Sequence, residues 1–300
     1  MALSAEIGWA FALVVDAAFL ALVIAAATRE IIAGGNWRNL PVVVLVLVLL
    51  AGNVAFHLEA HYEGAADVSI RVGIGVVMLL ISLIGGRIIP SFTRNWLVKF
   101  NPGRLPVPFG RFDGVVIGLS ALALIGWIVA PLSTVTGVVM ALVGALHLVR
   151  FARWAGDRTT GERLLLILHV GYAFVPLGFL LNALAGFGVL PPSAGIHAWM
   201  TGAAGIMTLA VMTRASLGHT GQALTASLAT QASTSRSSLR RWRGSLPWYC
   251  PRIAICCCTL PPAAGSSRSS ASQPRSGRCS PAARGVHSPS SARRPRRDKC

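Results

Sequence analysis

The chain has 300 residues, 54% of them hydrophobic and only 12% charged, about half the charge of an ordinary water-soluble domain at roughly 25%. Its net charge of +17 is uneven: residues 1–225 hold 13 Lys+Arg against 9 Asp+Glu (+4), and residues 226–300 hold 14 against 1 (+13). All six cysteines (Cys250, Cys256, Cys257, Cys258, Cys279 and Cys300) lie in the second stretch without paired C-x2-C spacing, which excludes thiolate metal centres and disulfides from the first 225 residues.

The apolar residues come in runs of about 17 to 25, long enough to cross a bilayer as helices, and they lack the polar face of a water-soluble helix. Seven spans are predicted, at about 7–28, 40–59, 69–89, 112–130, 134–151, 163–185 and 195–213. The opening MALSAEIGWA has no positive n-region of a cleavable signal peptide. It runs almost directly into the first span, so an N-terminal part is expected to be missing. Within that span Asp16 is expected to be buried or protonated.

The connecting segments alternate in charge. Arg29 and Arg38 follow the first span. Glu59, Glu63 and Asp67 dominate the second connection, and Arg87, Arg94, Lys99, Arg104 and Arg111 the third. The connection at Pro131 is uncharged, the fifth carries Arg150, Arg153, Arg158 and Arg163, the sixth is uncharged, and Arg214 follows the seventh span. The positive-inside rule puts the basic connections in the cytoplasm and the N-terminus and acidic loop 60–68 in the periplasm, as in a multi-pass bacterial inner-membrane protein. Stretch 91–110, broken by Pro and Gly, reads as an interfacial segment rather than a span. Gly114 and Gly118 form a G-x-x-x-G read as a helix-packing site, and Pro176 predicts a kink in the sixth span.

Beyond about residue 226, Ser, Arg, Pro and Cys replace the apolar periodicity. This stretch reads as a disordered basic tail, out of frame with what precedes it. Binding of nucleic acid or anionic lipid by the tail is the weaker reading, and no nucleic-acid partner is expected. The fold class is therefore an all-α polytopic transmembrane helix bundle followed by a disordered tail, with membrane lipid its first partner.

Six of the seven histidines lie in or beside the spans: His57, His61, His147, His169, His197 and His219. Polar groups are expensive in lipid, so each asks for a reason. His57 and His61 are one helical turn apart on one face, with Asn53 a turn earlier and Glu59 and Glu63 as nearby carboxylates. His197 lies at the same membrane side and could complete a three-histidine site suited to copper or zinc. His147 and His169 sit at similar depth on adjacent helices, where two imidazoles could hold a haem iron, or one could hold it alone. His219 follows the seventh span as a loop residue or anion contact. For each histidine alone, helix packing is the plainer reading. Tyr172 could hydrogen-bond a metal-bound species, and Arg87 could meet haem propionates or simply snorkel. No catalytic triad, P-loop or H-E-x-x-H is present.

The segments NWRNLP (36–41), AFHLEA (55–60), GGRIIPSFTRNWL (85–97), LHVGYAFVPLG (168–178), HAWMTGAAGIM (197–207) and MTRASLGHTGQAL (212–224) together resemble the NnrS family. The resemblance runs from about residue 5 to 225. It implies a haem- and copper-containing membrane protein of nitric oxide metabolism and nitrosative-stress relief in denitrifying bacteria, with nitric oxide or an iron–nitrosyl species as partner. His57, His169, His197 and His219 fall inside the matched segments; His61 and His147 rest on spacing. Family members resemble twelve-helix proteins, so this chain is expected to lack helices at both ends. The other reading of the residues is a metal-free transporter or channel with Asp16 and the Pro176 kink as its markers.

Overall fold

The computed structural model describes residues 8–219, with side chains through residue 217. The expected tail lies outside the described residues. Seven helices are long and apolar enough to cross a membrane, and no strand occurs among the described residues. They are α1 (Trp9–Ala33), α2 (Leu40–Tyr62, entered through a 3-10 turn, Trp37–Asn39), α3 (Asp67–Phe100), α4 (Arg111–Val129), α5 (Thr134–Ala152) and α6 (Arg163–Gly186). The seventh span (Ser193–Leu217) begins as α7 (Ser193–His197), widens into a π-helical stretch (Ala198–Ala204) and continues as α8 (Gly205–His219). Every expected span is present.

Sequential helices pack as neighbours, and α3 also meets α6 and the π-helical stretch. The core lies between α3, α4, α5, α6 and the seventh span, around Met78, Ile89, Trp127, Met140, Leu165, Phe179 and Trp199. Among the described residues, helix α1 packs mainly on α2 and its entry turn, and Ile31 is its one buried residue.

Three expectations are corrected. Helix α3 does not stop at Pro90 but continues to Phe100, 34 residues in all, or about 51 Å at 1.5 Å per residue. Proline removes one backbone bond to the residue four back, here Gly86, and a membrane helix tolerates this when its neighbours hold it. Pro90 is buried against them, and the Thr93 hydroxyl donates to the Ile89 carbonyl at 2.8 Å. The residues past Pro90 (Arg94, Trp96, Lys99) therefore extend the helix beyond a hydrocarbon layer of about 30 Å, and only 101–110 is irregular.

Second, Gly114 and Gly118 are exposed, and a methyl group at either would meet nothing within 4 Å among the described residues. The close helix approach is instead between α5 and α6, where a methyl on Gly186 would lie 2.9 Å from the Gly137 Cα. Spacing alone cannot say which glycine pair faces a neighbour. Third, Asp16 is not buried: its side chain is 60% exposed, at the edge of α1 beside α2. Pro176 lies buried inside α6, which runs through it.

Candidate functional site

The densest polar constellation in the core lies between α3, α4, α5 and α6, towards their basic connections. Asp113 is the third residue of α4. Its Oδ2 accepts the Gly110 N–H at 2.9 Å, satisfying a donor at the helix start. Its Oδ1 accepts from Arg150 Nε at 2.7 Å, and both side chains are sealed from solvent, at 3% and 0% exposure. Arg153 stands 3.9 Å from the second carboxylate oxygen. Arg150 Nη1 donates to the Ser82 carbonyl at 3.0 Å and to the Tyr172 hydroxyl at 2.8 Å. Its guanidinium is flanked by the rings of Phe109, Trp154 and Tyr172, 5.4 to 5.9 Å away. Gly86 makes this possible, since a methyl there would fall 1.8 Å from Arg150 Nη2.

The network continues inward along α4 and α5. Tyr172 OH lies 3.1 Å from His147 Nδ1, and His147 Nε2 lies 2.9 Å from Ser120 Oγ, which donates to the Val116 carbonyl at 2.7 Å. Arg150 can only donate, so Tyr172 accepts from it, and the Ser82 hydroxyl also bonds the phenol. Ser120 already donates to Val116, so the tautomer that satisfies it puts the imidazole hydrogen on Nε2 and leaves Nδ1 to accept from Tyr172. Both nitrogens of His147 are engaged, and its ring stacks on Phe179 at 5.2 Å.

His169, on α6, differs. Its Nδ1 bonds the Leu165 carbonyl one turn earlier at 3.0 Å. That fixes the hydrogen on Nδ1 and leaves Nε2 with a bare lone pair. The residue is 3% exposed, and Nε2 meets no hydrogen-bond partner of normal geometry; the Trp154 carbonyl makes only a weaker, off-line contact with the ring. The loop after α5 covers this edge. Ala155 adopts a left-handed conformation at φ 52°. It brings Gly156 so close that a methyl there would lie 2.6 Å from His169 Cδ2 and 3.2 Å from Nε2. Arg158 anchors the loop by donating to the carbonyls of Asn101, Pro102 and Arg104 and to Asn101 Oδ1.

The other expected ligands are dispersed. His57 Nε2 sits 3.1 Å from Asp16 Oδ2. His61, though one turn away on α2, is exposed and stacks on Trp9 at 4.1 Å. His197 is exposed, with Nδ1 2.8 Å from the Ser193 carbonyl. The side chain of His219 lies outside the described residues. Glu59 turns away from the histidines: it accepts from the backbone N–H groups of Val68 and Ser69, at 3.0 and 2.9 Å, and from the Ser69 hydroxyl. Arg87 spans to Asn39 Oδ1 and the Arg38 carbonyl, both at 3.1 Å. Among the described residues, no three His, Cys, Asp or Glu side chains converge as a metal-holding group.

Sequence reasoning passed over Asp113, Ser120 and Ser82, and took Arg150 only as a loop charge. A signal existed for two of them. Arg150 follows His147 by three residues inside an apolar helix, which puts both on one face, and Asp113 follows Gly110 at the spacing of a helix-start cap.

Seven apolar spans around a sealed, charged polar core define a polytopic integral membrane protein. Residues 1–235 match the NnrS protein family, and the chain belongs to it. No curated protein and no solved structure matches the chain.

Proposed function

We propose that this chain is a haem-binding membrane protein of nitric oxide metabolism and nitrosative-stress resistance in the bacterial inner membrane, with His169 as its iron ligand. The observation that carries the reading is the bare, buried Nε2 of His169. A buried nitrogen left without a hydrogen bond loses its interaction with water and gains nothing in return, at a cost of about 1–3 kcal/mol. Ligation would remove that cost.

Haem bound there would supply an iron able to take a diatomic ligand or pass an electron. The chain's own residues do the rest. The Leu165 carbonyl holds the tautomer and orients the ring, as the outer partner of a metal-bound histidine does. Gly156 covers Nε2 with backbone alone and Arg158 tethers the covering loop, so that loop would have to lift for iron to reach Nε2. His147 is already committed to Tyr172 and Ser120, so it would have to give up one of them to serve as a second ligand. Copper, also implied by the resemblance, finds no convergent donor set among the described residues. His57 and His61 are its nearest approach, and no step is assigned to it.

The test is the Soret absorbance of the full chain purified in detergent after expression with added haem. His169→Ala should lose the band while eluting from gel filtration at the wild-type position. A band of undiminished intensity in His169→Ala, or haem-free wild-type protein, would overturn the reading.

A further inference from the structure

Tyr172 has a role that its packing does not require. It is fully buried, and its hydroxyl is held from both sides. Arg150 Nη1 donates to the oxygen at 2.8 Å, and His147 Nδ1 lies 3.1 Å away, placed to accept the phenol hydrogen in the tautomer protonated at Nε2. One-electron oxidation of a phenol makes it a very strong acid, so oxidation is easy only where a base already waits for the proton. Here the base waits, and no heavy atom has to move.

Burial and the Arg150 cation both work against the charge that results, and two neighbours offset them. The proton gained by His147 makes an imidazolium whose Nε2–H already donates to Ser120 Oγ at 2.9 Å. The Arg150 cation opposes that new charge, and the Asp113 carboxylate, 2.7 Å from Arg150 Nε, offsets it. A conduit for the electron is also present. The ring of Trp154, at the basic end of α5, lies 4.4 Å from that of Tyr172. In the other direction, His147 stacks on Phe179 at 5.2 Å, Phe179 meets Trp199 at 5.0 Å, and Trp199 meets Trp127 at 5.4 Å.

We propose that Tyr172 and His147 form a proton-coupled redox pair, in which Tyr172 yields an electron to a strong one-electron oxidant and its proton to His147. The step balances. The O–H bond of Tyr172 breaks and an N–H bond forms at His147 Nδ1. The electron leaves through Trp154 to the oxidant, which is reduced by one charge. The products are a neutral phenoxyl radical and an imidazolium, hydrogen-bonded to each other. Nitrogen dioxide is an oxidant of the required class, and it would leave as nitrite. Tyr172 is 0% exposed, which keeps water from the radical. The inference needs no metal and stands apart from the His169 reading.

The probe is hexachloroiridate(IV), an anionic one-electron oxidant that the basic connections around Arg104, Arg153 and Arg158 should concentrate at the Trp154 end. The full chain in detergent is mixed with it, freeze-quenched and examined by electron paramagnetic resonance. The chain has three tyrosines, and Tyr62 is 75% exposed. The double variant Tyr62→Phe/Tyr249→Phe should keep the wild-type phenoxyl signal, because Tyr172 is then the sole tyrosine. Tyr172→Phe should lose it, and His147→Phe should cut its yield about tenfold. The double variant keeps Tyr172, His147 and Arg150, so it decides the matter even if Tyr172→Phe fails to fold. A signal that disappears in the double variant, survives in Tyr172→Phe or ignores His147 would overturn the proposal, as would no phenoxyl signal in the wild type.

Discussion

Removing the carboxylate of Asp113 isolates the most deeply buried cation in the bundle. Arg150 is 0% exposed, and Asp113 is its ion-pair partner, 2.7 Å from Nε. An arginine stripped of its counterion inside a low-dielectric interior costs about 3–5 kcal/mol, mostly because the remaining charge stays buried. For a chain of this size each kcal/mol lowers the unfolding midpoint by about 2–4 °C, so Asp113→Ala should lower Tm by about 6–20 °C. It also loses the acceptor for the Gly110 N–H, which adds to the same direction. The assay is helical ellipticity against temperature in detergent. The double variant Asp113→Ala/Arg150→Met separates the causes: with no cation left to strand, it should be more stable than Asp113→Ala alone. A Tm within about 2 °C of wild type for Asp113→Ala, or a double variant no more stable than the single, would refute the reasoning.

Gly86→Ala should destabilise by about 1–3 kcal/mol, typical of overpacking, because its methyl would fall 1.8 Å from Arg150 Nη2; thermal unfolding in detergent checks it. Gly186→Val should be strongly destabilising and Gly114→Val near neutral in the same measurement, since one site faces the Gly137 backbone and the other faces nothing among the described residues. Arg158→Ala should speed amide exchange selectively in segments 101–104 and 154–160, which that guanidinium ties together; equal protection in wild type and variant would contradict the anchoring.

The spans were legible because hydrocarbon imposes one requirement, about twenty apolar residues per crossing, and the runs in this chain meet it without ambiguity. Their ends were less so. Pro90 looked like a stop because proline is a local breaker, whereas the packing that carries α3 past it is tertiary. The G-x-x-x-G of α4 failed for a related reason: a spacing marks a possible face, and only the neighbours decide whether anything lies against it. Of the site, the depth of His147 and His169 was readable, but not their difference. One has both nitrogens bonded and the other keeps a free lone pair, and this turns on which partners adjacent helices bring. Asp113 and Arg150 are 37 residues apart in sequence, so their pairing could emerge only when α4 and α5 were placed side by side.

The wide winding at Ala198–Ala204 has a consequence for everything after it. A π turn takes up one residue more than an α turn, so it acts as a phase shift in the screw of the last span. Deleting one residue there would restore the ordinary pitch and leave the following turns facing as they do, whereas deleting Gly205 from the α-helical part beyond it would swing them by about 100°. Met207 would then rotate off Gly85 and Gly171, and Arg214 would leave Glu162 and the ring of Phe92. The wide winding is thus where the last span carries a surplus residue without turning its terminal segment away.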